Sequence, residues 1–181
     1  MGLNEELVSV FRENRGKFLS GEELAEKLGV SRTTIWNHIR LLKKLGYQFT
    51  AQRHLGYKLG AIPDRMLPEE IKFRLRTRFL GRRIHYYEEV GSTNDVALEL
   101  AAKGAPEGTV VVAENQTRGR GRFGRNWFSP ARKNLILSLV LRPPVSPGRV
   151  SQLGITTAVS VAVSLRDLFP LPALIKWPND I

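Results

Sequence analysis

The chain has 181 residues, of which 42% are hydrophobic, and carries a formal charge of +11. This length permits one or two domains with a hydrophobic core, and the charge favours polyanionic partners such as DNA or nucleotides. The absence of cysteine excludes disulfides, thiolate nucleophiles and cysteine-bound zinc, and the histidines lack the spacing of metal ligands. Because no signal peptide or bilayer-length apolar segment is visible, we expect a cytoplasmic protein without membrane contact.

The first sixty residues predict three helices followed by a hairpin. Ser20 and Ser31 are typical N-caps of the second and third helices, and Gly29 and Gly46 are typical ends. The apolar residues at helical spacing are Leu7, Val10, Phe11, Leu24, Ile35, Ile39 and Leu42. The alternating segments 47–49 and 56–59 predict the two strands of a wing. Together these elements indicate a winged helix-turn-helix domain.

The outward face of the third helix is basic and polar, as is the tip of the wing. Such side chains donate hydrogen bonds to phosphates and base edges, so this face predicts DNA binding. The candidate DNA-binding residues are Arg32, Thr33, Asn37, Arg40, Lys44 and Arg53. The alternative is a small helical interaction domain whose basic face is only solvated.

A proline-rich connection separates this region from the rest of the chain. Pro68 is expected to open a helix that runs to about Leu80. The predicted domains are therefore a winged helix over residues 1–62, a linker with a connecting helix over 63–80, and a second domain over 81–181. The second domain predicts strands at 84–88, 108–113, 134–141 and 173–176 and helices at 95–103 and 150–169. This alternation indicates an α+β fold with a mixed sheet.

Glycine alternates with arginine in the segment 117–126, between two apolar strands. Glycines let backbone N–H groups approach a ligand, and each guanidinium offers a planar fork of donors that suits carboxylate or phosphate oxygens. The segment therefore predicts an ordered anion-binding loop. A disordered RNA-binding tract is the alternative for a glycine and arginine run of this kind.

Three motifs in sequence order resemble those of the biotin protein ligase family. They are Gly91-Ser92-Thr93-Asn94, then the segment from Gln116 to Trp127, then Lys176-Trp177-Pro178-Asn179-Asp180. The winged helix resembles that of the family's bifunctional members, which also repress biotin operons. The resemblance implies a partial class II synthetase-like ligase domain that forms biotinyl-5′-AMP from biotin and ATP with Mg²⁺. Biotin then passes to a lysine of a biotin carboxyl carrier protein.

The resemblance also implies roles for individual residues. The implied biotin-binding residues are Ser92, Thr93, Asn94, Gln116, Gly119, Arg120, Gly121 and Arg122. The implied ATP-binding or adenylate-binding residues are Arg120, Arg122, Arg125, Trp127 and Asn179, and the implied catalytic residues are Arg122 and Asp180. Considered without the family, the motif at residues 92–94 could be a plain helix N-cap, and Trp127 could belong to the core.

The sequence departs from the family pattern at three places. His54-Leu55 replaces a glycine-containing turn at the wing tip, and Phe123 replaces an arginine. Family members continue beyond Asp180 into a lysine-bearing strand and a small barrel, so we expect this chain to be a fragment with weak activity alone. The leading hypothesis is a ligase that represses biotin genes through operator DNA and dimerises when the full-length protein binds the adenylate. The alternative is a DNA-binding repressor without ligase activity.

Overall fold

The structure is a computed structural model that describes residues 2–121, 124–177 and 180–181. Residues up to Leu141 form one compact unit, and residues from Arg142 onward form a second. Within the described ranges, no helix is both long and apolar enough to cross a membrane.

The N-terminal elements have the predicted order. They are α1 (Leu3–Glu13), α2 (Gly21–Leu28), α3 (Arg32–Lys44), β1 (Phe49–Gln52) and β2 (Gly56–Leu59). Ser20 Oγ accepts from the Glu23 amide at 3.0 Å, and Ser31 Oγ accepts from the Thr34 amide at 3.1 Å. Gly29 ends α2 with a left-handed φ of 64°. The caps predicted from the sequence are therefore confirmed.

The wing packs against the segment before α2. Strands β1 and β2 pair antiparallel, and Leu19 and Tyr57 exchange two backbone hydrogen bonds of 2.8 Å. His54 adopts a positive φ of 65° at the tip, so this residue takes the left-handed conformation expected of a glycine there. Gly56 has a φ of 97°, and a Cβ at this position would lie 2.6 Å from Ser20 Cα. The wing can therefore approach α2 only because residue 56 has no side chain.

The connecting helix is shorter than predicted. Helix α4 covers only Pro68–Lys72, so its predicted extension to about Leu80 is wrong. Phe73 is extended and Arg74 has a φ of 58°, which ends the helix. The Phe73 ring lies beneath the guanidinium groups of Arg12 and Arg74, at 4.1 and 5.2 Å. These cation–π contacts, one of them with α1, favour the turn over a longer helix.

A three-stranded mixed sheet completes the first unit. It contains β3 (Ile84–Tyr87), β4 (Val110–Ala113) and β5 (Ile136–Leu139), with α5 (Thr93–Ala102) between β3 and β4. Strand β4 pairs parallel with β3 and antiparallel with β5. The mixed sheet and the α+β class are confirmed. The domain boundaries at 1–62, 63–80 and 81–181 remain a prediction.

Two clusters of buried side chains form the interior of the first unit. The larger one contains the apolar faces of α1 to α3 together with Leu59 and Leu67, and Tyr86 of β3 packs against it. The smaller one, around Val111 and Val140, lies where α5 covers the sheet. Because Tyr86 belongs to the sheet, the core of the winged helix extends directly to the strand that precedes the first motif.

The second unit contains a 3-10 turn at Pro147–Arg149 and α6 (Ser151–Leu168). The strand predicted at 173–176 is not formed, since residues 171–175 have no regular structure and Lys176 makes only an isolated bridge with Asp180. The carbonyl of Ala173 accepts from Arg166 Nε at 2.7 Å. This carbonyl is thus bonded to a side chain of α6 instead of to a neighbouring strand.

Candidate functional site

The first and second motifs lie side by side at one edge of the sheet. Because β3 and β4 run parallel, their carboxyl ends meet, and the loops that follow remain paired. Backbone hydrogen bonds join the Thr117 amide to Val90 O at 3.0 Å and the Arg118 amide to Gly91 O at 2.8 Å. A Cβ on Gly91 would lie 2.7 Å from Arg118 Nη2, so the arginine covers the glycine closely. The two motifs therefore form one continuous surface.

A chain of polar side chains connects the two motifs to β5. The Oε1 atom of Gln116 accepts from the Thr93 amide at 2.7 Å and from Thr93 Oγ1 at 2.9 Å. Ser138 Oγ lies 2.9 Å from Thr93 Oγ1 and 2.6 Å from Asn94 Oδ1. Thr93 and Ser138 are both buried. The sequence analysis did not include Ser138, although its position as the polar residue of an apolar strand is a signal that could have identified it.

These bonds determine which groups remain available to a ligand. The Gln116 carbonyl oxygen is bonded to Thr93, and its Nε2 atom has no partner among the described residues. Gln116 therefore presents an amide donor, and the Ser92 oxygen, which makes no capping bond, supplies an acceptor. A neutral ring that carries both a carbonyl and N–H groups fits such a set.

The motif at residues 92–94 also begins a helix, but Ser92 does not cap it in the usual way. Helix α5 begins at Thr93, two residues earlier than predicted, with Ser92 in the N-cap position. The Ser92 side chain makes no capping hydrogen bond, and the Thr93 amide is satisfied by Gln116 instead. The N-cap interpretation explains the position of Ser92 but not its burial, since the residue is only 5% exposed.

The described parts of the glycine and arginine loop, residues 119–121 and 125–127, pair antiparallel as the two arms of a narrow hairpin. The Gly121 amide donates to Arg125 O at 2.8 Å, and the Trp127 amide donates to Gly119 O at 3.0 Å. A Cβ on Gly119 would lie 2.7 Å from Trp127 O, so a side chain there would push the arms apart. The predicted residues Arg122 and Phe123 lie outside the described residues.

The arginines of the hairpin differ in their surroundings. Arg120 forms an ion pair with Asp95 in the first turn of α5, while Arg125 is exposed. The Nη2 atom of Arg120 bonds to Asp95, and a guanidinium carries further N–H donors that can serve an anion. Trp127 is 59% exposed, so it does not belong to the core that the described residues form.

The third motif lies in the second unit. The Lys176 amide donates to Asp180 O at 2.8 Å, and the Asp180 amide donates to Lys176 O at 3.1 Å, so the two residues form an isolated antiparallel bridge. Asn179 and Pro178 lie outside the described residues. The roles of Asn179 in ATP binding and of Asp180 in catalysis remain predictions.

A polar network lies behind the two motifs. Glu114 is only 4% exposed, and its Oε1 accepts from the Met66 amide at 3.0 Å and from Tyr86 Oη at 3.2 Å. Arg65 bonds to both Tyr86 and Glu88. Burial raises the pKa of Tyr86 to about 12, although the hydrogen bond to Arg65 acts to lower it. A hydrogen bond from Arg132, together with the charge of Arg65, holds the pKa of Glu88 below its ordinary value.

A groove of about 620 Å³ lies between the start of α2, the first turns of α3 and the wing. Three of the predicted DNA-binding residues, Arg32, Thr33 and Arg53, line this groove. The other three are exposed elsewhere on α3: Asn37, Arg40 and Lys44. Trp36 also lines the groove and is 46% exposed, with the Arg40 guanidinium 4.5 Å from its ring centre. The sequence analysis missed Trp36, although an aromatic residue on the basic face of α3 is unusual enough to indicate a contact residue.

Known protein families match both parts of this arrangement. A helix-turn-helix domain matches residues 4–58, and the biotin/lipoate A/B protein ligase family matches residues 86–181, which is more than half of the chain. The chain belongs to the biotin/lipoate A/B protein ligase family. This membership confirms the resemblance that the three motifs carry.

Individual proteins that the chain resembles carry names that combine a ligase with a repressor. The chain is 40% identical over 179 residues to a bifunctional ligase/repressor BirA of Bacillus subtilis, covering 99% of this chain and 55% of that protein. It is 34% identical over 170 residues to the bifunctional ligase/repressor BirA of Escherichia coli, covering 92% and 50%. The chain thus spans about half the length of these curated relatives. Among solved structures, a biotin protein ligase from Aquifex aeolicus in complex with biotin and ATP matches with a TM-score of 0.47 and 34% identity, over 54% of this chain and 40% of that one.

No described group of three or more His, Cys, Asp or Glu side chains is arranged to hold a metal ion.

Proposed function

We propose that this protein is a biotin protein ligase that also represses biotin genes. The observation that carries the proposal is the presence of a helix-turn-helix match and a ligase family match in one chain. The names of the relatives from Bacillus subtilis and Escherichia coli describe both activities for those proteins. The polar set at Thr93 and Gln116, beside an arginine hairpin, supports the ligase half.

The proposed reaction has two steps. The carboxylate of biotin attacks the α-phosphorus of ATP, a new P–O bond forms, and pyrophosphate leaves. The amine of a carrier-protein lysine then attacks the carbonyl of biotinyl-5′-AMP, an amide forms, and AMP leaves. No protein nucleophile is needed, so the task of the site is to bring two anions together and meet their charge with fixed donors.

The proposed residue roles follow the chemistry of the side chains. Ser92, Thr93, Asn94 and Gln116 bind the neutral ring of biotin, and the hairpin from Gly119 to Arg122 binds its carboxylate. Arg120, Arg122 and Arg125 bind the ATP phosphates, with Asn179. Trp127 covers the adenylate, while Arg122 and Asp180 serve the chemical steps. Mg²⁺ enters with the phosphates of ATP and shares their charge.

The ligase half is tested with the full-length gene product, biotin, MgATP and a biotin carboxyl carrier protein. We expect the carrier to gain the mass of one biotinyl group. Gln116→Ala should lower this rate strongly, because Thr93 loses its partner and the site loses an amide donor. Gln48→Ala is the control, since Gln48 is an exposed residue of the winged helix. If the wild-type protein transfers no biotin to the carrier but binds operator DNA, the ligase half of the proposal is overturned and the repressor half stands.

The repressor half is tested by duplex binding at increasing salt. Phosphate contacts release counterions, so the affinity should fall linearly on a double-logarithmic plot, and Arg40→Ala should weaken it. An affinity independent of salt would contradict the proposal.

We further propose that biotinyl-AMP promotes a two-fold dimer, which presents two winged helices to two half-sites. Both activities require a cytoplasmic location, where DNA and carrier proteins occur together. Sedimentation of the full-length protein with and without biotinyl-AMP tests the dimer.

A further inference from the structure

Arg65 lies where the winged helix meets the two loops of the candidate site. Its Nη1 donates to Leu45 O, at the C-terminal end of α3, over 3.3 Å. Its Nη2 bonds to Tyr86 and Glu88 at the end of β3, and its Nε lies 3.8 Å from Glu114 Oε1 at the end of β4. The side chain is only 13% exposed. One planar group therefore contacts the recognition helix and two strand ends at once.

The two strand ends lead directly into the candidate biotin loops. The Glu114 amide donates to Tyr87 O at 3.1 Å, and the Val90 amide donates to Asn115 O at 3.1 Å. Asn115 Nδ2 also donates to Glu89 Oε2 at 2.8 Å. Backbone pairing continues from these bonds towards Thr93 and Gln116, because the Thr117 amide donates to Val90 O and the Arg118 amide donates to Gly91 O. An unbroken series of backbone hydrogen bonds therefore joins the loops to both strand ends.

We propose that Arg65 is a positioning residue that couples the biotin loops to the recognition helix α3 within one chain. The inference rests on the proposed function, because it needs both biotinyl-AMP and operator DNA as ligands. The guanidinium donors lie in one rigid plane, so Arg65 cannot follow a shift of Glu88 and Glu114 without changing its bond to Leu45 O. Ordering of the loops by an anion would then change the end of α3.

Arg132 offers a matched control in the same region. Its Nη2 also bonds to Glu88, at 2.8 Å, but the side chain is 55% exposed. Among the described residues of the first unit, none of its hydrogen bonds or ion pairs reaches α3. A change at Arg132 therefore perturbs Glu88 without cutting the connection to the winged helix.

The experiment uses the full-length gene product and its Arg65→Lys and Arg132→Lys variants. Lysine keeps the charge beside Glu114 but cannot bond to Leu45, Tyr86 and Glu88 in one plane, so the fold is retained while the connection is lost. The probe is a duplex selected from random-sequence DNA by the wild-type protein saturated with biotinyl-AMP. Duplex affinity is measured with and without biotinyl-AMP, and biotinyl-AMP affinity with and without the duplex.

We expect biotinyl-AMP to tighten wild-type DNA binding by a factor in the usual range for coupled sites, about 5 to 150. The same factor should appear when the duplex tightens biotinyl-AMP binding, because coupling is reciprocal. Arg65→Lys should reduce both factors by more than about threefold, with each ligand still bound and with any coupling that dimerisation supplies retained, whereas Arg132→Lys should leave both factors unchanged. A purely structural role for Arg65 would lower stability or both affinities and leave the factor intact.

The outcomes separate the inference from the function on which it rests. A wild-type factor that Arg65→Lys retains within twofold overturns the inference and leaves the ligase-repressor proposal standing. A wild-type protein that selects no duplex, or that binds no biotinyl-AMP, overturns both.

Discussion

Replacement of Ser138 by alanine tests whether the buried polar chain holds the biotin loop in place. Ser138 Oγ lies 2.9 Å from Thr93 Oγ1 and 2.6 Å from Asn94 Oδ1. The single proton of the Ser138 hydroxyl serves one of these oxygens at a time. Alanine removes this donor from both, and β5 offers no compensating group.

The magnitude follows from what happens to the two former partners. A neutral hydrogen bond contributes about 0.5 to 1.5 kcal/mol to folding, and a buried group without a partner costs about 1 to 3 kcal/mol. Asn94 is exposed and can turn to water, while the Thr93 hydroxyl is buried but keeps Gln116. We therefore expect a loss of about 1 to 2 kcal/mol in the free energy of unfolding.

Ser9→Ala is the matched control for Ser138→Ala. Ser9 belongs to the same compact unit, and its Oγ makes one hydrogen bond of 3.3 Å to Glu13 within α1. Because alanine has the higher helix propensity, we expect no net loss at this position. Urea denaturation followed by circular dichroism measures both variants, with unchanged m values as evidence that the native state is intact.

Biotin affinity provides the functional measurement. Without Ser138 the Thr93 hydroxyl has one partner fewer and can rotate, so biotin binding by the full-length protein should weaken about three- to tenfold, or about 1 kcal/mol. The reasoning is refuted if Ser138→Ala matches the wild type both in urea midpoint and in biotin affinity.

Further predictions concern the wing, the polar network and α3. Gly56→Ala should lower the free energy of unfolding by more than about 2 kcal/mol, because the new Cβ meets the Ser20 backbone and residue 56 has a positive φ. Gly154→Ala in α6 should instead raise the free energy of unfolding by up to about 1 kcal/mol. Equal midpoints of the two variants in thermal unfolding would contradict this. The pKa of Glu88 is lowered because its charged carboxylate makes favourable contacts in the folded state, so these contacts stabilise the fold only while the group is charged. The difference in free energy of unfolding between the wild type and Glu88→Gln should therefore be present above pH 4.5 and vanish as the pH falls further. A constant difference from pH 7 to pH 3 would count against it. Trp36→Ala should weaken duplex binding about as much as Arg40→Ala, because the indole holds the guanidinium in place. The variant with both changes should therefore lose little more affinity than either single variant. Additive losses of affinity in a fluorescence titration would show that the two residues act independently.

Local sequence signals were sufficient where the deciding interactions are local. Ser20 and Ser31 bond to amides three residues away, so their roles as caps can be read directly from the chain. The inward faces of α1 to α3 follow from helical periodicity, and the buried residues lie at the predicted positions. The three motifs also identified the family, because they combine chemically specific residues in a fixed order.

Contacts with residues outside the segment itself decided the features that were predicted wrongly or missed. Helix α4 ends at Lys72 although helix-forming residues follow, since Phe73 packs beneath Arg12 of α1. The strand predicted near Ala173 is replaced by a side-chain contact from Arg166. Neither Arg12 nor Arg166 belongs to the segment that it contacts, so the sequence pattern of that segment does not reveal the contact.

The sequence by itself determined the family, the order of the domains and the residue types of the site. It could do so because caps, helical periodicity and motif chemistry depend on residues close together in the chain. Only the tertiary structure joined Ser138 to Thr93 and placed Arg65 between Leu45 and Glu88. Such partners lie 20 or more residues apart, and their meeting depends on the register of the sheet and on how the winged helix packs, so no local pattern could specify them.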